Sequence, residues 1–212
     1  MEIKHYLSKN FTNKDFPSEY SKWSLDDKIK LFIDRVKYWQ LDIANKVING
    51  FETTKGLKFT GIPDSGFATL NILFVYFETI GKYGYRPLGK PKEKFIAGFK
   101  AVHNDLKWNY ATSENELVTI AKKVYEKVRC GVYHVGMTEQ DISLTSETKN
   151  PFEIIWSKDK IKYIIINPHE LARDLLKHCD IYEKRLRDSS EEKLRKNFEK
   201  GFDLDNEPKM DT

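Results

Sequence analysis

The stretch that most constrains the fold is Phe67 to about Lys82, beginning Phe-Ala-Thr-Leu-Asn-Ile-Leu-Phe-Val-Tyr-Phe-Glu-Thr-Ile. A helix that is apolar nearly all round has no face to give to water, so other helices must surround it. It falls short of the roughly 18 apolar residues that suggest a membrane span, which makes it the centre of a helical bundle. Its exceptions are Asn71 and Glu78, seven residues apart and almost on one line of the helix. A carboxylate in such a helix is costly to bury unless it is paired or wet, so Glu78 needs a partner.

The flanking chain supplies the surrounding helices. Ser24-Leu-Asp-Asp27 reads as an N-cap with a carboxylate three positions on. It opens a helix through Ile29, Phe32, Ile33, Val36, Ile43 and Val47 that stops at Gly50. Phe51 to Gly66 is glycine-rich and predicts a loop or a short extended pair. A helix from near Pro91 runs through Phe95, Phe99, Val102 and Leu106, and Ser113-Glu-Asn-Glu116 caps another through Leu117, Ile120, Val124 and Val128. The period then changes. Phe152–Trp156 and Ile161–Ile166 read as a β-hairpin, and Asn167-Pro168 starts a helix toward Leu186. A last charged helix passes Leu194 and Phe198 and is expected to end at Gly201. The predicted fold is therefore mainly α: an antiparallel helical bundle with a short C-terminal β-hairpin followed by helices. In domain terms, residues 1–23 form an N-terminal arm, 24–140 the bundle, 141–200 the hairpin and helices packed on it, and 201–212 a disordered tail.

Thirty-six Lys and Arg against 32 Asp and Glu leave a net charge of only +4. The global field cannot argue for nucleic acid, and any basic footprint must be local. The most basic window is Lys82 to Lys100, with six basic residues and one acid. There Lys82, Arg86, Lys90 and Lys92, with Tyr83 interleaved, are candidate contacts to a nucleic-acid backbone or base, against the plainer reading of a solvated loop. The two cysteines, Cys130 and Cys179, make neither a disulfide framework nor a zinc site. With no apolar leader segment, the reading is a cytoplasmic chain with reduced thiols and no membrane contact. His169-Glu170 is not followed by the second histidine of a metalloprotease helix, so neither metal nor cofactor is expected.

Chemistry concentrates at Val124 to Met137, where an apolar helix runs into Gly131 and Gly136 with Arg129 and His134 between them. An arginine can hold phosphate and a histidine can move a proton near neutral pH. On an unbroken helix the two side chains would point about 140° apart. The glycines offer a break that lets them converge.

Arg-Cys-Gly-Val-Tyr-His-Val-Gly-Met, ending a helix in a helical chain, resembles the Arg-x(4 to 6)-His signature of the HEPN family (higher eukaryotes and prokaryotes nucleotide-binding domain). The preceding apolar helix with an embedded acid, followed by a glycine-rich basic segment and another helix, is similar to HEPN proteins of microbial defence systems. The resemblance covers roughly residues 25–140. It implies a homodimeric bundle and a metal-independent endoribonuclease, a toxin or defence nuclease neutralised by an antitoxin or regulatory partner. In that reading His134 acts as general base on a ribose 2′-OH or as acid on the leaving oxygen. Arg129 binds the scissile phosphate, and Glu78 is the acidic helix residue facing the motif. Two positions depart from the pattern: Cys130 stands where active members often carry Asn or Asp, and Gly136 where some carry a tyrosine. The alternative implied by the same likeness is a non-catalytic module binding nucleic acid, a nucleotide or a partner protein. A structural ion pair inside the bundle is an equal reading of Glu78, and one compatible with the first.

Overall fold

A computed structural model describes residues 5–129 and 141–206. The chain is mainly α-helical, as the periodicity predicts. The Ser24 hydroxyl accepts from Asp27 N–H at 3.1 Å and the Asp27 carboxylate accepts from Ser24 N–H at 3.0 Å, closing a reciprocal cap. Helix α1 (Leu25–Val36) passes through a π-helical turn (Lys37–Leu41) into α2 (Asp42–Asn49), which ends at Gly50 with φ 74°. Periodicity alone reads this as one regular helix. The wider turn is a local rewinding with no signature in the pattern. Two short strands, β1 (Phe51–Glu52) and β2 (Lys58–Phe59), then pair antiparallel, with the Phe51 and Phe59 rings stacked at 4.8 Å.

Helix α3 (Gly66–Ile80) buries Leu70, Leu73, Phe74, Tyr76, Phe77 and Ile80. It is not covered all round: Phe67 and Val75 are exposed, on the stripe that also carries Asn71 and Glu78. A π-helical turn (Gly81–Tyr85) follows, then α4 (Pro91–Leu106), which starts on its proline and stops at Lys107 in the left-handed region. The α3–α4 crossing is a backbone-to-backbone contact. A Cβ at Gly98 would lie 1.9 Å from Phe77 O, and one at Gly81 would lie 1.7 Å from Lys94 O. No side chain but hydrogen fits. Helix α5 (Glu114–Val124), capped by Ser113, unwinds into a third π-helical turn (Tyr125–Arg129).

Beyond it, β3 (Ile142–Leu144), β4 (Phe152–Ser157) and β5 (Lys160–Ile166) form a three-stranded sheet in the order β3-β5-β4. The predicted hairpin is thus only part of a mixed sheet. Strands β4 and β5 are antiparallel with a bulge at Ile155/Trp156, while β3 adds to β5 in parallel. Three residues are too few to show a period, and their partner lies more than a hairpin away. Helix α6 (Pro168–Arg187) is capped by the Asn167 side chain, whose Oδ1 accepts from His169 and Glu170 N–H. Helix α7 (Glu192–Asn206) does not end at Gly201 as predicted. That glycine lies inside the helix where a Cβ would come 3.1 Å from Tyr83, so close approach rather than termination explains it. The expected tail, residues 201–212, is helical through Asn206 with Phe202 buried, and its remainder lies outside the described residues.

The arm preceding α1 docks on the helices. Phe16 is buried, Asn10 Nδ2 donates to Asp34 Oδ1 at 2.6 Å, and Tyr20 Oη donates to Asp203 Oδ1 at 2.5 Å. Lys28, only 6% exposed, pairs with Asp203 at 2.8 Å and Glu199 at 3.1 Å, tying α1 to α7. Among the described residues no helix is long and apolar enough to cross a membrane.

Candidate functional site

Glu78 and Arg129, 51 positions apart, meet: Arg129 Nε donates to Glu78 Oε1 at 2.8 Å. Each side chain keeps about a fifth of its surface, 22% for Glu78 and 19% for Arg129. The pair therefore sits at the rim, not in the core. Glu78 arrives there because it follows Val75 by three positions on the open stripe of α3. Arg129 arrives through the π-helical turn, whose Val128 is buried and whose Tyr125 ring meets Phe95 edge-on at 5.2 Å.

The Asp141 carboxylate pairs with Lys123 of α5 at 2.6 Å. Lys123 also donates to Ile161 O at 2.8 Å. Asp141 is thus fixed to α5 and β5. His134, with Cys130, Gly131 and Gly136, lies outside the described residues.

The basic window divides. Lys82 and Tyr83 both engage the Asp205 carboxylate on α7, and the Tyr83 ring packs edge-on against Phe32 at 4.7 Å. Burial, with Asp205 beside it, pushes the Tyr83 phenol well up. These two residues join α7 to the π-helical turn and do not present a free base-stacking face. Lys92 pairs with Glu126 at 2.5 Å, tying the start of α4 to the turn that carries Arg129. Arg86 and Lys90 are exposed. Arg86 borders a cleft of about 790 Å³ whose wall includes Lys100, Arg185, Glu191 and Lys193.

At the floor of that cleft is a polar chain that sequence reasoning missed. Tyr76 Oη lies 2.7 Å from His178 Nδ1, His178 Nε2 lies 3.3 Å from Asp105 Oδ2, and Arg185 donates to both Asp105 oxygens at 3.0 and 2.8 Å. Arg185 Nε also donates to Glu191 at 2.7 Å. Burial opposes ionisation of Asp105, but the His178 and Arg185 bonds outweigh it and hold the carboxyl below its usual range. Tyr76 and His178 are fully buried, so this network satisfies the core and braces α3, α4 and α6. Only its Asp105–Arg185 end reaches the cleft. Nothing in the spacing of His178 points to Tyr76 or Asp105, 102 and 73 positions away.

The remaining candidates resolve structurally. His169 Nδ1 lies 2.8 Å from Asn49 Oδ1 and Glu170 pairs with Arg173. Cys179 is 1% exposed, and burial pushes its thiol up to about 12. Among the described residues no group of His, Cys, Asp and Glu is arranged to hold a metal ion.

Searches of family models, curated proteins and solved structures found no match to this chain.

Proposed function

We propose that the chain is a metal-independent endoribonuclease of the HEPN type, an antiparallel bundle acting as a homodimer in the manner of a toxin or defence nuclease. The observation that carries the reading is the Glu78–Arg129 contact: an arginine at the end of a helix, oriented through Nε by an acid of the central helix, at the rim. Glu78 orients the guanidinium, and Arg129 binds the scissile phosphate and stabilises the charge that grows there. His134 takes the proton from the ribose 2′-OH, whose oxygen attacks phosphorus. The P–O5′ bond breaks, the leaving oxygen takes up a proton, and a 2′,3′-cyclic phosphate remains. Exposed Phe67 and Val75 on the stripe of α3 that carries Glu78, with Trp39 and Ile43 also exposed, supply apolar surface suited to a second copy. Arg86 and Lys90 remain as backbone contacts for RNA, while Lys82, Tyr83 and Lys92 act in packing and positioning. Cytoplasmic RNA is the substrate class, and an antitoxin or regulatory protein is the partner class.

The test is cleavage of total and transfer RNA in EDTA. Wild-type protein should cut, and His134→Ala should lose cleavage by about a hundredfold or more with an unchanged circular-dichroism melt. Retained cleavage in His134→Ala refutes the assignment. The second reading, a non-catalytic module that binds nucleic acid, a nucleotide or a partner protein, is favoured by the exposed cations Arg86 and Lys90. It predicts salt-sensitive RNA binding without cleavage.

A further inference from the structure

The cleft of about 790 Å³ between α4, α6, α7 and the π-helical turn Gly81–Tyr85 has the size of a small-molecule site and an unbalanced charge. Four cations line it from separate parts of the chain: Arg86 just past the turn, Lys100 on α4, Arg185 on α6 and Lys193 on α7. Two acids, Asp105 and Glu191, share the wall, and Arg185 bonds both of them. Lys100 is paired with the Glu114 carboxylate, which does not line the cleft. Among the described residues, the exposed Arg86 and Lys193 side chains meet no carboxylate. An anion seated in the cleft would take charge-assisted bonds from both.

The second observation concerns the neutral part of the wall, where the fold leaves polar atoms over. Asn197 Nδ2 donates to Gly84 O at 2.9 Å, which leaves its Oδ1 as an acceptor. Asn104 Oδ1 lies 3.1 Å from His103 Nδ1, which leaves its Nδ2 as a donor. Arg185 Nε engages Glu191 Oε1 at 2.7 Å, and Glu191 Oε2 is left to accept. Burial pushes the Tyr85 phenol up, so it keeps its proton and can also donate. Donors and acceptors side by side suit hydroxyls, each of which gives one bond and takes others.

The same inventory narrows the ligand. A purely inorganic anion would use the cations and leave the amides and Glu191 Oε2 idle. A nucleobase needs a flat slot between rings, and Tyr85 is the one aromatic residue among the described residues of the wall. Ala97 and Ala101 are small and leave room above α4 for a compact body.

We propose that this cleft binds a small phosphorylated sugar. The phosphate accepts from Arg86 and Lys193. The sugar hydroxyls donate to Glu191 Oε2 and Asn197 Oδ1 and accept from Asn104 Nδ2, while the Asp105 bonds hold Arg185 in place beneath them. Arg86 also stands among the RNA backbone contacts proposed above, but Lys193 does not, and neither Glu78 nor Arg129 borders the cleft. The inference therefore does not rest on the nuclease reading.

Isothermal titration calorimetry of the full chain tests it at about pH 7.5, where a phosphate monoester is close to doubly charged. The ligands are glucose 6-phosphate and ribose 5-phosphate, compared with glucose, propyl phosphate, inorganic phosphate and adenosine 5′-monophosphate. Saturable binding of at least one sugar phosphate is expected, with glucose, propyl phosphate and inorganic phosphate each weaker by about tenfold or more. Lys193→Gln should weaken sugar-phosphate binding by about tenfold at an unchanged melting temperature, because the ammonium meets no carboxylate in the free protein. Arg86→Gln should show the same loss, so a folding failure of one variant leaves the other to decide. Absence of sugar-phosphate binding up to about 10 mM overturns the proposal. So does propyl or inorganic phosphate binding as tightly, which would leave a mere cation cluster, or unchanged affinity in either folded variant. Tighter binding of adenosine 5′-monophosphate than of both sugar phosphates overturns it in favour of a nucleotide.

Discussion

Replacing Gly98 by alanine sets two effects of opposite sign against each other. In a helix interior, Gly→Ala favours the helix by about 1 kcal/mol, so propensity alone predicts a more stable protein. At Gly98 the new methyl would lie 1.9 Å from Phe77 O, 2.7 Å from Gly81 N and 2.8 Å from Phe77 C. Close carbon–oxygen contacts settle near 3.3 Å, so the two backbones must part by more than about 1 Å. That movement would loosen the buried rings across the same crossing, where Phe77 meets Phe95 at 5.4 Å and Phe99 at 5.1 Å. Overpacking of this kind costs about 1–3 kcal/mol and more against rigid backbone. The steric term wins, and a net loss of about 2 kcal/mol is expected. With a urea m-value of about 2 kcal/mol/M the midpoint should fall by about 1 M. Gly81→Ala, which reads the same crossing from the other side, should act alike. The double variant should cost less than the two singles together, since the helices need part only once. An unchanged or raised midpoint for Gly98→Ala would show that the crossing does not depend on bare backbone.

Removing the carboxylate in Glu78→Ala takes away the acceptor for Arg129 Nε at a rim site. A stability loss of about 1–2 kcal/mol is expected, with RNA cleavage reduced. Glu78→Gln keeps an oxygen at that place and should lose less stability, so equal urea midpoints for the two variants would speak against an oriented Nε bond. The Asp105 carboxyl is held below its usual range in the folded chain. Its contribution is therefore present above the unfolded value near 3.9 and lost as pH falls through the lower folded value. The stability gap between wild type and Asp105→Asn should be constant from pH 7 to about 5 and shrink below that. Denaturation series at several pH values would show this, and a gap independent of pH would remove the Asp105–Arg185–His178 link from the account.

The helices were legible because their signals are local. Ser24 and Ser113 cap through neighbours three residues on, Pro91 and Pro168 open helices with a preset φ, and the apolar spacing of α3 requires that other helices cover it. The need of Glu78 for a partner was also legible, since a carboxylate in an apolar helix has few alternatives. Which partner it finds was not: Arg129 becomes that partner only because α5 rewinds into a π-helical turn and because α3 keeps one stripe open. Likewise, Gly201 reads as a stop although it lies inside α7 against Tyr83, and the engagement of Lys82 and Tyr83 by Asp205 of α7 has no local signature. The third strand had no period to read, and the Tyr76–His178–Asp105 chain joins three helices through distant positions. Arg86, Lys100, Arg185 and Lys193 carry no local sign that they line one cleft. The amino-acid sequence by itself determined where helices begin, end and hide their apolar faces, because those depend on interactions within a few residues. Tertiary structure alone decided which charges are engaged, which glycines mark close contacts and where clefts open, because burial and Coulomb energy depend on neighbours that the chain brings together only by folding.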